Sequence, residues 1–128
     1  MTAFSVALGG MFGALVRFAV DTALARRAAR RNSGTGWPGG TLLVNAAGSA
    51  VIGVGYGLLQ TANLTGPGYT LLATGLAGGL TTFSSWSVAT VMLWRGGRHT
   101  AAAINVLLNL ALGLALCSLA VFLTLRLS

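Results

Sequence analysis

Four apolar runs, each long enough to cross a bilayer as a helix, fill most of the sequence, and no other feature constrains the fold as strongly. They cover residues 2–25, 40–59, 69–94 and 100–125. A hydrocarbon core of about 30 Å takes about 20 residues of α-helix. Backbone amides find no water there, so each run must close its own hydrogen bonds as a helix. The joints carry turn formers: Trp37-Pro38-Gly39-Gly40, Gly66-Pro67-Gly68 and Arg95-Gly96-Gly97-Arg98. The expected fold is an all-α, multi-pass membrane protein, a single four-helix transmembrane domain over residues 1–128 with lipid as its solvent. Ala23-Leu24-Ala25 mimics a leader cleavage site, but no positive charge precedes the first run, so a retained helix is expected.

Charge narrows the function. Only 7% of residues are charged, against about 25% in an ordinary soluble domain. All eight cations are arginines, and Asp21 is the only acid. Paired-carboxylate chemistry is therefore impossible within one subunit, and His99 and Cys117 stand alone without partners for a metal or nucleophilic site. An enzyme is not expected. Arg26, Arg27, Arg30 and Arg31 are flanked by apolar runs with no interleaved aromatic platform, so they read as membrane-flanking charges and not as a nucleic-acid surface. Arg95 and Arg98 fall in the other odd-numbered connection, while the opposite side has only Arg126, which places both termini outside by the positive-inside rule. Arg17 and Asp21 lie one turn apart in the first run and are expected to pair.

Small and polar residues inside the runs point to close packing and to a path for an ion. Gly9–Gly13, Gly53–Gly57 and Gly75–Gly79 have the spacing that lets helix backbones approach. Gly78-Gly79 followed by Thr81-Thr82 makes a poor helix, so the third span is expected to break near its middle. Such a break frees carbonyls suited to a cation and an N-terminal helix end suited to an anion. The alternative is a kink repaired by serine and threonine hydroxyls. Phe83 and Trp86 share one face of the following helix, either lining a path with their positive ring edges or facing lipid. Thr41, Asn45 and Ser49 form a polar stripe on the second run, and Asn105 and Asn109 lead to Gly113 on the fourth. Interhelical hydrogen bonding accounts for such residues, but amide and hydroxyl donors without buried acids also suit an anion that must be released again.

These strings resemble a known family. Gly78-Gly79-Leu80-Thr81-Thr82-Phe83-Ser84-Ser85-Trp86-Ser87 is similar to the GGxTTFSTFS signature of the CrcB/Fluc fluoride channels. Gly40-Thr41-Leu42-Leu43-Val44-Asn45-Ala46-Ala47-Gly48-Ser49 resembles that family's GTLxVNxxGS, and residues 9–18 resemble its GGxxGAxxRY opening. The resemblance implies a passive, fluoride-selective channel that sheds toxic fluoride. It also implies an antiparallel dimer, of this chain with itself or with a homologous subunit, with two pores along the interface. A structural Na+ would sit at the centre on the backbone carbonyls of Gly78 and Thr81. The pore residues would be Asn45, Phe83, Trp86, Thr41, Ser84, Ser87, Asn105 and Asn109, with Arg17 matching the family's first-helix arginine.

Three positions depart from that pattern: Trp86 replaces the second phenylalanine, Ala89 a common glutamate, and Asn109 the usual serine. They leave a non-conducting or half-active subunit of a heterodimeric channel as an alternative function. A small multidrug exporter, also four helices, needs a membrane-embedded glutamate in its first helix, and this sequence has no glutamate. An antiparallel homodimer requires insertion both ways. The arginine count of six against one favours one orientation, and so a partner of opposite bias.

Overall fold

The computed structural model describes residues 2–30 and 36–127, so Arg31 lies outside the described residues. The elements are α1 (Thr2–Arg30), α2 (Gly39–Gln60), α3 (Gly66–Tyr69), a π-helix (Thr70–Ala77), α4 (Gly78–Leu80), α5 (Phe83–Arg95) and α6 (His99–Leu127). Among the described residues there is no strand. Four helical stretches are long and apolar enough to cross a membrane, the third running from Gly66 to Arg95 through a break. The expected all-α fold with an interrupted third span is what forms.

Local chemistry sets the ends. Thr65 caps the third span, its Oγ1 accepting from the Gly68 amide at 3.4 Å with Pro67 in the first turn. The turn between α5 and α6 closes at Gly97, whose φ of +75° suits a residue without Cβ. α1 continues past its apolar run to Arg30, because the stretch after Asp21 is rich in alanine and arginine, both good helix formers.

Glycine brings α1 and the third span into backbone contact. A Cβ on Gly9 would meet the Leu71 carbonyl and the Leu76 amide, and one on Gly13 would meet the Leu76 carbonyl and the Leu80 amide. From the other side, a Cβ on Gly79 would collide with the Gly10 carbonyl. α2 packs on α6 in the same way, with Gly53 against the Cys117 carbonyl and Gly57 against Thr124. The apolar core is correspondingly thin, formed by Val44, Ala77, Leu80, Leu93 and Ala102. Large apolar side chains such as Phe4, Phe18, Met92 and Leu114 face outward, as lipid-facing residues do.

The break itself is two residues long. Thr81 (ψ 156°) and Thr82 (φ −148°, ψ 114°) are extended, separating α4 from α5. α5 then restarts with Thr82 as its N-cap, Oγ1 accepting from the Ser85 amide at 3.2 Å. The wide π turns just before it were not expected. They occupy the segment where Gly75 lies against α1, and π turns are commonly found at functional sites.

Candidate functional site

An extended residue inside a membrane span has an amide and a carbonyl with no helical partner, and leaving either unmet in an apolar medium costs several kcal/mol, roughly. At Thr82 one side chain from α2 meets both needs. Asn45 Oδ1 accepts from the Thr82 amide at 2.8 Å, and Asn45 Nδ2 donates to the Thr82 carbonyl at 3.3 Å. The carboxamide thus acts as a short piece of adjacent strand. Gly48, one turn on, leaves room for the Thr81 methyl, which a Cβ there would overlap.

From Asn45 the hydrogen bonds continue across three helices. Asn45 Nδ2 donates to Asn109 Oδ1 at 3.0 Å, and Asn109 Nδ2 donates to the Asn105 carbonyl at 2.9 Å and to its Oδ1 at 3.3 Å. Asn105 Nδ2 donates to Thr90 Oγ1 at 2.9 Å, and that hydroxyl donates to the Trp86 carbonyl at 2.8 Å. Every link from the Thr82 amide to the Trp86 carbonyl runs donor to acceptor in one direction, an arrangement in which each bond polarises the next. No buried side-chain nitrogen or oxygen among the described residues is left without a partner.

The aromatic pair stands beside this network. Phe83 and Trp86 have ring centroids 5.4 Å apart and planes at 73°, an edge-to-face pair. With Ser87, Thr90, Val91 and Val106 they line a groove of about 300 Å³. Phe83 is 75% exposed, so one wall of this groove is open.

Of the residues singled out in the sequence, Asn45, Asn105, Asn109 and Trp86 meet in the network, and Phe83 and Ser87 meet in the groove. The asparagine amides are engaged with the protein; Thr82 Oγ1 donates to Ser85 Oγ at 3.1 Å, so Ser84 Oγ donates to Thr82 Oγ1 at 3.3 Å, and Ser87 is left as the freer hydroxyl donor among the described residues. Thr41 lies one turn before Asn45 and is half-buried outside the network, while Ser49 Oγ turns back to the Asn45 carbonyl at 2.9 Å. Thr90 was missed. It lies one turn after Trp86, which was the available signal, but threonine in a helix routinely satisfies itself on the preceding turn.

Arg17 corrects an expectation. It forms no ion pair with Asp21 among the described residues; its Nη1 donates to the Thr81 carbonyl at 3.2 Å, while the Asp21 carboxylate lies over Gly40. A carbonyl exposed by the break outcompetes an i, i+4 carboxylate that is itself solvent-accessible on the helix surface. Gly78 is exposed, and the amide that would close a helical turn on its carbonyl, that of Thr82, is taken by Asn45.

The family described as CrcB-like protein, Camphor Resistance (CrcB), matches residues 4–121, a stretch that contains the whole network. The chain belongs to the CrcB family. Its relatives include the protein named fluoride-specific ion channel FluC of Renibacterium salmoninarum, 43% identical over 115 residues, which is 89% of this chain and 91% of the relative. The FluC proteins of Shewanella amazonensis and Shewanella oneidensis are 40% and 41% identical over 107 residues, covering 84% of this chain and 82% of theirs. With four such spans and relatives named as ion channels, this chain is a multi-pass membrane protein and not an enzyme.

Proposed function

We propose that this chain forms a fluoride-specific channel through which the ion leaves the cell down its gradient, relieving its toxicity. The observation that carries this reading is the break at Thr81–Thr82 with Phe83 and Trp86 on the turn that follows, in a member of a family whose relatives bear the fluoride-channel name. The start of α5 presents the positive end of a helix dipole inside the membrane. Ring edges and serine hydroxyls add donors without full charge, so a small anion is attracted and still released.

The open wall at Phe83 supports a second subunit, and we assign it to an antiparallel partner that closes each groove into a pore, the dimer being surrounded by lipid. Under this reading a Na+ at the dimer centre is held by the backbone carbonyls of Gly78 and Thr81. These oxygens suit a hard cation: they sit at a broken helix end, the Thr82 amide that would close on the Gly78 carbonyl is bonded to Asn45, and the Thr81 carbonyl keeps a second lone pair beside its bond to Arg17. Bound there, the ion would supply positive charge between the two breaks, with the Gly78 and Thr81 carbonyls as its ligands.

The test is fluoride efflux from liposomes containing the purified chain alone, read with a fluoride electrode, with chloride leak measured in parallel. Rapid fluoride efflux without chloride leak is expected. Efflux of chloride at a similar rate overturns the reading. A second reading rests on the arginine asymmetry: a chain that inserts one way pairs with a homologue of opposite bias. It is supported if a folded chain passes fluoride only when co-reconstituted with that homologue.

A further inference from the structure

Trp86 is reached by Asn105 at two points, directly at the indole and through Thr90 at the main chain. Its indole Nε1–H donates to the main-chain carbonyl of Asn105 at 3.3 Å. Its own carbonyl accepts from the Thr90 hydroxyl at 2.8 Å, and that hydroxyl accepts from Asn105 Nδ2 at 2.9 Å. Asn105 is 0% exposed, so it cannot reach an ion in the groove unless Trp86 or Thr90 moves first. An indole N–H is a strong donor. Free at the wall of the groove it would grip a small anion, whereas conduction requires binding weak enough for release. Spent on the Asn105 carbonyl, it leaves the ring to act through its carbon-bound edge, which is the weaker attraction.

We propose that Asn105, acting through Thr90, is a positioning residue and not an ion ligand. It fixes Trp86 so that the indole wall keeps one width and its N–H is withheld from the ion. The consequence for permeation rests on the channel reading above; the tether itself does not. The indole N–H bond to α6 fits the edge-to-face geometry of Trp86 against Phe83.

The experiment uses the full chain with Trp37→Phe and Trp94→Phe, which leaves Trp86 as the sole emitter among the three tryptophans. Thr90→Val removes the hydroxyl and keeps the shape, Thr90→Ser restores it, and Asn105→Ala removes the side-chain arm. Emission wavelength, rotamer heterogeneity in the decay, and fluoride and chloride efflux are read on each. In Thr90→Val and Asn105→Ala we expect altered Trp86 emission with a second decay population. We also expect fluoride efflux to fall about tenfold, the rate equivalent of one lost hydrogen bond. Thr90→Ser should bring both readouts back. Parental emission in Thr90→Val overturns the tether, whatever happens to flux. Altered emission with parental flux and selectivity overturns its role in permeation. Altered emission in a parent chain that passes no fluoride sustains the tether and overturns the channel reading, so the two failures are told apart.

Discussion

Replacing Asn45 with alanine removes one side chain and leaves two backbone groups without partners. The Thr82 amide and carbonyl both depend on the Asn45 carboxamide, at 2.8 and 3.3 Å, and Thr82 is 7% exposed, so little water reaches them. A buried donor or acceptor deprived of its partner costs about 1–3 kcal/mol, so the pair costs about 2–6 kcal/mol. Asn109→Ala breaks a side-chain contact between α2 and α6 instead. Such interhelical bonds in membranes average about 0.6 and reach about 1.7 kcal/mol. Asn45→Ala should therefore destabilise several times more than Asn109→Ala. In the double variant the Asn109 deletion should add less than it does alone, because Asn109 has already lost its α2 partner. Equilibrium unfolding in mixed micelles with increasing SDS, followed by helical circular dichroism, measures all three. If Asn45→Ala costs no more than Asn109→Ala, the break is not held by this side chain and the strand-mimic argument is wrong.

Other expectations follow from particular contacts. Gly13→Ala places a methyl inside the Leu76 carbonyl and should destabilise the fold by about 1–3 kcal/mol, whereas Gly66→Ala, with open space, should unfold at nearly the parental SDS fraction. Phe83→Ile removes the exposed ring edge and should abolish fluoride efflux from liposomes while the oligomer keeps its elution volume; wild-type efflux would take Phe83 out of the path. Trp86→Phe keeps an aromatic edge and should keep fluoride selectivity over chloride in the same efflux assay, with selectivity lost if an indole is required. Arg17→Leu frees the Thr81 carbonyl and should lower the SDS fraction at mid-unfolding, while Arg17→Lys, with a single-point donor in place of the guanidinium fork, should recover only part of it.

Much of this arrangement is written locally. The interruption of the third span follows from Gly78-Gly79 and Thr81-Thr82, and the shared face of Phe83 and Trp86 from a spacing of three. The two asparagine stripes are equally readable as helix faces. Their meeting is not, because periodicity says which residues share a face and nothing of which face meets which helix. Arg17 is the instructive case. Its sequence neighbour Asp21 is the obvious partner, yet the group it serves is the Thr81 carbonyl, which exists as an acceptor only because the helix breaks there. The π turns of Thr70–Ala77 escape because nothing in the composition of that segment separates a π turn from an α turn.

The glycine seam between α1 and the third span has a consequence for how such a molecule can change. At Gly9, Gly13 and Gly79 main chain rests on main chain, so no rotamer can absorb a displacement. A methyl group is the smallest increment a substitution can add, and there it is already too large. The distance from α1 to the break is therefore fixed by bond lengths and not by side-chain choice. Room for a different side chain lies instead on the far side of the break, in α5 and α6, where the ring at position 86 differs from the signature that this sequence resembles.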